Sequence, residues 1–296
     1  MNADRIQGWS RSLIFLGLIF MGSVLASVFA TTVANLFFGG SVTILPGAGM
    51  PTDSASWWQL HFQNLCSQAI GFGGAVWLAM RIWDRHALQG MPGGLGGRKV
   101  SVLLLATLAT VASGPLLMAS YELNGLLIPE GSLLEQIFKP LEKMIETMTG
   151  YLASGDGLQR VVILLGIAGL PAIFEELSFR GVLQPLLIRA TGHAFWGILL
   201  TSIIFSAIHF QFYGFLPRVL LGALFGWMAH RSRSLLPGMV AHFVNNALAA
   251  VTLWVTGSMT EDILDLTPLI VTGSVVVTAA CCVGVHRILL AQNGPA

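Results

Sequence analysis

Residues 158–174 read LQRVVILLGIAGLPAIF, and two adjacent acids, Glu175 and Glu176, end this run. The run is apolar enough to cross a bilayer as a helix, which takes about 20 apolar residues. Ionisable side chains inside a membrane span are costly, face a protein interior or a wet cavity, and by default indicate a functional site. The two acids therefore predict a polar site inside a membrane-spanning helix.

The composition of the whole chain is that of a polytopic helical membrane protein. Of its 296 residues, 54% are hydrophobic and 10% are charged, and the mean hydropathy is +0.75. The formal net charge of +1 gives no indication of nucleic-acid binding. We therefore predict an all-α polytopic membrane protein that forms a single membrane domain over residues 1–296, with the lipid bilayer around it.

Apolar runs of sufficient length predict about eight transmembrane helices. They lie near residues 12–37, 57–80, 101–120, 158–180, 194–212, 214–230, 235–256 and 267–289. Lys and Arg concentrate on one side of this arrangement, and the positive-inside rule makes that side the cytoplasm. Because the number of spans is even, the N-terminus and the C-terminus are both predicted to be cytoplasmic. The expected location is the cell inner (cytoplasmic) membrane, as a multi-pass protein.

Four basic residues fall outside the cytoplasmic set, namely Lys139, Lys143, Arg160 and Arg218. Arg218 follows Pro217 at the outer end of the sixth predicted span. We expect it to be an interfacial anchor, and binding of a substrate carboxylate or a lipid phosphate is the alternative. The first span is too long for the apolar region of a signal peptide and is expected to remain as an anchor.

Two connecting segments have a distinct composition. The glycine-rich stretch at residues 90–97 predicts a flexible cytoplasmic linker. In the outer loop, residues 121–157, apolar residues recur at helical spacing with charged residues between them, which predicts an amphipathic helix interrupted at Pro140. This helix could lie flat at the outer interface or act as a lid over a substrate entrance.

The two acids are expected to have different roles. Successive helical residues are about 100° apart, so Glu175 and Glu176 cannot both point straight into one cavity. Glu176 and Arg180 are spaced i, i+4 with the acid first, which is the better orientation for an ion pair. Glu175 is then left to face the cavity, where it is suited to proton transfer.

Two later spans carry polar residues that can join the acids. Phe205 precedes His209 by one turn and is expected to pack beneath its imidazole, while His242 and Asn246 share a helix face. Alone, each histidine is more often a hydrogen-bonded core residue than a ligand. Together with Glu175, they fit water activation and oxyanion stabilisation, because no serine or cysteine has a base at motif spacing.

These residues carry a resemblance to a known family. EELSFRG at 175–181, FSAIH at 205–209 and HFVNN at 242–246 resemble the EExxxR, FxxxH and HxxxN signatures of the CAAX protease and bacteriocin-processing (CPBP, or Abi) intramembrane endopeptidases. The resemblance covers about residues 158–256, the predicted catalytic core. It implies catalytic positions at Glu175, Glu176, His209, His242 and Asn246, with Glu175 as general base and with structural support from Arg180 and Phe205.

The resemblance leaves the cofactor open. Glu175, His209 and His242 are candidate ligands of a divalent metal such as zinc. However, HExxH is absent and zinc usually prefers histidine, cysteine or acid to a carboxamide, so a metal-independent glutamate mechanism also remains open. The implied substrate is a membrane-associated protein or peptide, with prenylated CAAX-like proteins as one group.

Two other functions are compatible with the same residues. A non-catalytic scaffold or immunity protein could keep the pocket without turnover. A proton-coupled transporter could use the same intramembrane carboxylates. A scaffold would tolerate Glu175→Ala, and a transporter would show pH-dependent transport.

The depth of the predicted site depends on where the fourth span ends. If it ends at Arg180, Glu175 and His242 lie near the cytoplasmic side while His209 lies in the outer half. A helix that continues through VLQPLLIR to about residue 189 brings Glu175 toward mid-bilayer. Pro171 and Pro185 are then expected to kink this longer helix.

Overall fold

The computed structural model of the chain describes residues 3–38, 53–83, 99–257 and 266–291. The regular structure in these ranges is helical, as predicted. Its helices are α1 (Ala3–Phe38), α2 (Ser54–Ile82), α3 (Lys99–Ala112), α4 (Gly114–Leu126), α5 (Leu133–Ala153), α6 (Gly157–Thr191), α7 (Ala194–Ala207), α8 (Phe215–Ser232), α9 (Leu236–Thr256) and α10 (Pro268–Leu290). The predicted linker at residues 90–97 lies outside the described ranges.

Each predicted span falls on a helix or a helix pair, but not every helix meets the length and hydropathy needed to cross a membrane. In the described ranges, five do so: α1, α2, α6, α9 and α10. The pair α3 and α4, bent by 41°, is a sixth if it forms one span. Helix α7 is apolar but short, and α8 carries Arg218 and Arg231. Eight spans and cytoplasmic termini therefore stay predictions.

Helix α6 corrects the predicted end of the fourth span at residue 180. The helix runs on to Thr191, and it includes two π-helical turns, Leu164–Gly169 and Leu177–Leu183. Pro171 and Pro185 each follow one of these turns by two residues. Proline lacks an amide hydrogen and its ring crowds the carbonyl four residues earlier, so a wider turn lets the helix continue.

Neighbouring helices satisfy the carbonyl groups of the first π-helical turn. Asn64 Nδ2 in α2 donates to the Gly166 carbonyl at 2.9 Å, and Asn246 Nδ2 in α9 donates to the Ile167 carbonyl at 3.4 Å. Backbone groups within a membrane need such partners because lipid supplies none. The irregular turn therefore ties α6 to α2 and to α9.

Helix α5 is amphipathic as predicted, but the expected interruption at Pro140 was wrong. The helix is continuous over 21 residues, with Pro140 inside it. Pro140 is exposed, so the Gln136 carbonyl that loses its helical donor can be solvated. Ser132 caps the first turn by accepting a hydrogen bond from the Glu135 amide at 3.1 Å.

Two buried apolar clusters flank the site. The first joins α1, α2 and α6 and includes Phe205 of α7. The second joins α3, α8, α9 and α10 around Phe225 and Cys281. Cys66, Cys281 and Cys282 are unpaired thiols. Because Phe205 and Phe225 also line the site, the two clusters fix its walls.

Helices α6 and α8 approach closely at two glycines. Arg180 Nη2 donates to the Gly222 carbonyl at 3.2 Å, and Gln184 Nε2 donates to the Gly226 carbonyl at 3.0 Å. A Cβ atom at residue 226 would lie 2.4 Å from Gln184 Oε1. Small residues four apart allow such close packing in membrane proteins, and here they let polar side chains of α6 reach the α8 backbone.

Candidate active site

A cavity of about 310 Å³ lies among α5, α6, α8, α9 and the turn that follows α7. The predicted residues Glu175, His209, His242 and Asn246 all line it, together with Phe205. The structure thus brings residues from three separate motifs to one polar space. Helix α7 ends at Ala207, so His209 lies in the turn after the helix rather than inside the predicted span.

Glu176 faces away from this cavity into a buried ion-pair network. Its Oε1 atom accepts from Arg180 Nη1 at 2.8 Å, which is the predicted i, i+4 pair, and from His242 Nδ1 at 3.0 Å. The Glu176 and Arg180 side chains have no exposed surface. The bond to His242 was not predicted, and it means that Glu176 orients an imidazole of the cavity wall.

The buried guanidinium of Arg180 is held from several sides. Its Cζ atom lies 4.5 Å from the centre of the Phe205 ring, a distance suited to a cation–π contact. With the bonds to Glu176 and Gly222, these contacts offset part of the cost of burying a cation. The network therefore fixes the start of the second π-helical turn beside the cavity.

Glu175 lines the cavity, and a neutral side chain of α2 contacts its carboxylate. Its Oε1 atom accepts a hydrogen bond from Gln68 Nε2 in α2 at 3.1 Å. His242 Nε2 lies 3.9 Å from Glu175 Oε2, which is beyond hydrogen-bond length. Glu175 thus has a carboxylate oxygen available to a molecule in the cavity.

Both cavity histidines have an assignable tautomer in their neutral form. His209 Nδ1 lies 2.7 Å from the Phe205 carbonyl oxygen, and a carbonyl only accepts, so Nδ1 carries the hydrogen. His242 Nδ1 likewise donates to the Glu176 carboxylate. Each neutral ring then keeps Nε2 as an acceptor. Phe225 stacks on His242 at 5.6 Å, and Phe205 meets His209 edge-on at 4.8 Å rather than from beneath.

Asn246 reaches the cavity next to its neighbour Asn245. Its side-chain oxygen accepts from Asn245 Nδ2 at 3.2 Å, and its own Nδ2 atom bonds the Ile167 carbonyl. Both asparagines line the cavity, and Asn246 also ties α9 to α6.

The acidic and imidazole side chains of the cavity are not grouped as metal ligands in the part of the chain that the structure describes. Over the residues that the structure describes, no group of three or more His, Cys, Asp or Glu side chains is arranged to hold one. Zinc sites use three or four protein ligands of these types. The candidate ligands Glu175, His209 and His242 line the cavity without forming such a group.

The rim of the cavity is formed partly by α5 and the turn after α7. Thr149 and Ala153 of α5 line the cavity, and Phe138 stacks on Phe212 of the turn at 4.1 Å. Glu142 accepts hydrogen bonds from Gln211 Nε2 at 3.4 Å and from the Tyr213 amide at 3.3 Å. Burial raises the pKa of Glu142, against the opposing effect of these donors and of Arg218.

Gln68 is the site residue that sequence reasoning missed. It lies in a π-helical turn of α2, Ser67–Gly73, outside all three motifs. Its amide in the second predicted span was the available signal, but the same span also contains Gln59, Gln63 and Asn64, and nothing in the sequence linked Gln68 to Glu175.

We expect Gln68→Leu to lower kcat by about 10- to 100-fold, as seen when a residue that orients a reactive group is removed. Without the amide donor, the Glu175 carboxylate loses the contact that holds it toward the cavity. Steady-state cleavage assays measure the effect, with Gln63→Leu on the same helix as control. Equal kcat values for wild type and Gln68→Leu would show that Gln68 does not position Glu175.

Comparison with known proteins agrees with the geometry. Residues 157–248 match the model of a family described as type II CAAX prenyl endopeptidase Rce1-like. The matched segment contains the motifs at 175–181, 205–209 and 242–246, so the predicted resemblance is confirmed there. No curated protein and no solved structure matches the chain.

Proposed function

We propose that this multi-pass membrane protein, which carries a type II CAAX prenyl endopeptidase Rce1-like domain at residues 157–248, hydrolyses peptide bonds of a membrane-associated substrate. The domain supports a membrane endopeptidase as the kind of protein. The observation that carries the proposal is that the two adjacent acids occupy different environments. Glu175 lines the cavity with two imidazoles and a carboxamide, whereas Glu176 is tied to Arg180 and His242.

In the proposed reaction, Glu175 takes a proton from a water molecule in the cavity while the water oxygen attacks the carbonyl carbon of the scissile bond. His209 Nε2 accepts the second hydrogen of that water and fixes its position. His242, in its protonated form between Glu175 and Glu176, and the Asn246 amide supply hydrogen bonds to the oxyanion. Glu175 then returns the proton to the leaving nitrogen as the C–N bond breaks, which yields a carboxylic acid and an amine; the acid then gives its proton to the amine, so that the products leave as carboxylate and ammonium.

The His242 ring lies between the two buried carboxylates. In the proposed reaction the protonated ring has Nδ1 3.0 Å from Glu176 Oε1 and Nε2 3.9 Å from Glu175 Oε2, so Nδ1 is bonded to Glu176 and Nε2 is left to donate to the substrate. Negative charge that develops on the substrate oxygen would be stabilised by the same cation. Phe205 and Phe225 restrict the rotation of the rings, so these groups are preorganised.

The proposal is tested with purified protein in proteoliposomes and a set of membrane-anchored peptides, with products identified by mass spectrometry. Prenylated peptides are the first to test, because the matched family is described by that substrate. We expect discrete cleavage products with wild type and none with Glu175→Ala. A deletion strain restored equally by wild type and by Glu175→Ala would instead indicate a non-catalytic scaffold.

Because the cavity lacks a metal-holding group among the described residues, we expect cleavage to be unchanged by chelators. Activity is measured after treatment with 1,10-phenanthroline or EDTA, and metal content is measured on the same active preparation. A chelator acts by removing a bound metal, and a catalytic zinc is held by three protein ligands. The described His, Cys, Asp and Glu side chains do not form such a group of three. Loss of activity that returns on addition of zinc would contradict the metal-independent mechanism.

A further inference from the structure

One cation in the cavity wall has no role in the proposed reaction. Arg218 lies in the first turn of α8 and lines the same cavity as Glu175 and His242. Its Nη1 atom donates to Gln211 Oε1 at 3.2 Å, and its Nη2 atom donates to the Gln211 carbonyl. Its Nε atom is buried and has no hydrogen-bond partner in the described part of the chain.

The charge of Arg218 is not neutralised by direct contact. Among the described residues, no carboxylate forms an ion pair with it within 4.0 Å. The carboxylate of Glu142 reaches only as far as Gln211 and the Tyr213 amide, so Gln211 stands between the acid and the guanidinium. A partly buried guanidinium with a free donor is a matched receptor for a carboxylate, which it can bind with two parallel hydrogen bonds.

The backbone turn that carries Gln211 is strained. Phe210, between His209 and Gln211, has a φ of 54°, a left-handed conformation that is uncommon for a bulky residue. Such strain persists where the surrounding structure requires it, often at functional sites. In this conformation both His209 and Gln211 line the cavity, so the turn links the reacting end of the cavity to Arg218.

We infer that Arg218, held by Gln211, is a subsite for a carboxylate of the peptide substrate, either its C-terminal carboxylate or an Asp or Glu side chain. This inference rests on the proposed function and adds a specificity determinant to it. A peptide is favoured over a lipid headgroup because Arg218 and Glu175 share one cavity. A carboxylate bound at Arg218 would fix which carbonyl of the same peptide lies beside Glu175.

The test compares matched peptides that differ only in charge. One pair has a free or an amidated C-terminus, and a second pair has Glu or Gln near the scissile bond. We expect wild type to prefer the carboxylate form of one pair by about 10- to 100-fold in kcat/KM, as for hydrogen bonds to charged groups. Arg218→Gln should abolish that preference, and Arg218→Lys should keep part of it.

A second variant separates recognition from a structural role. If Arg218 only stabilises the rim through Glu142, then Glu142→Gln should weaken cleavage of both peptide forms as Arg218→Gln does. If Arg218 binds the substrate, Glu142→Gln removes a competing negative charge and should increase the preference for the carboxylate form. Because each preference is a ratio within one variant, general damage to the fold cancels.

Binding of the same peptides to Glu175→Gln protein tests the subsite without turnover. Tighter binding of one carboxylate form, lost in Glu175→Gln/Arg218→Gln, supports the inference even if wild type cleaves neither peptide and the proposed function fails. Equal binding of carboxylate and uncharged forms overturns it, whether or not cleavage occurs. The inference would also be overturned if anionic phospholipid vesicles displaced both peptide forms while the ratio of their affinities stayed the same, because Arg218 would then be a lipid site.

Discussion

Glu175→Gln is expected to lower kcat by about 100- to 10,000-fold, the usual contribution of a general base. The substitution keeps the shape of the side chain and an oxygen that can accept from Gln68, but the amide cannot take a proton from water. The residues around position 175 are unchanged, and the substitution removes a buried charge without leaving another charge unpaired. We therefore expect the thermal midpoint of unfolding in detergent to stay close to that of wild type.

The measurement pairs initial cleavage rates with thermal unfolding of the same preparations. Glu146→Gln is the matched control, because it makes the same chemical change at an exposed position of α5 that does not line the cavity. It should keep the wild-type rate. A Glu175→Gln protein that unfolds at much lower temperature, or cleaves at the wild-type rate, would contradict the role of Glu175 as base.

Local spacing in the sequence was enough to predict the different positions of the two acids, whereas the catalytic positions on the other helices were implied by the resemblance. The i, i+4 spacing of Glu176 with Arg180 identified an ion pair that the structure contains. The position of Glu175 one residue earlier, about 100° around the helix, separated it from that pair. Helix geometry alone fixes such relations, because both residues lie on the same element.

Relations between distant elements could not be predicted in this way. Gln68 and Glu175 are 107 residues apart, and His242 and Glu176 are 66 residues apart. Their contacts depend on how α2, α6 and α9 pack, and packing is not encoded in any single periodic pattern. The sequence identifies each polar side chain in an apolar helix, but it does not identify the residue that the side chain contacts.

The two corrected predictions, an interruption at Pro140 and a fourth span that ends at residue 180, both concern helices that contain proline. Pro140 was expected to interrupt its helix, and Pro171 and Pro185 were expected to kink the fourth span if it continued past residue 180. In α5 the affected carbonyl faces the exposed side. In α6 a π-helical turn precedes each proline, and Asn64 and Asn246 satisfy carbonyls of the first turn. The cost of proline depends on whether a freed carbonyl finds a partner, and that partner lies elsewhere in the chain.

Arg180→Met is expected to lower the free energy of unfolding by about 3–5 kcal/mol, the cost of breaking a buried ion pair by removing one partner. Glu176 would keep its charge in a position with no exposed surface, and only His242 would remain to offset it. Glu176→Gln should be destabilising in the same way, because it leaves Arg180 buried with a neutral neighbour.

The chain contains a matched control for this experiment. Glu135 and Lys139 on α5 form an ion pair at 2.7 Å with the same spacing and the same order of acid and base, but Lys139 is 69% exposed. Solvent and salt screen such a pair, so Lys139→Met should change stability little. Equal losses of unfolding free energy for Arg180→Met and Lys139→Met would show that burial does not increase the contribution of the Glu176–Arg180 pair to stability.

The double variant Arg180→Met/Glu176→Gln distinguishes stability from catalysis. With both charges removed, no ion is left uncompensated, so much of the lost free energy should return relative to either single variant. Cleavage should stay low, because the neutral amide that replaces the Glu176 carboxylate is not the anionic acceptor that orients His242. Unfolding is followed by denaturant titration and cleavage by initial rates. Recovery of both together would mean that Glu176 serves only the fold, whereas recovery of stability alone assigns it a second role through His242.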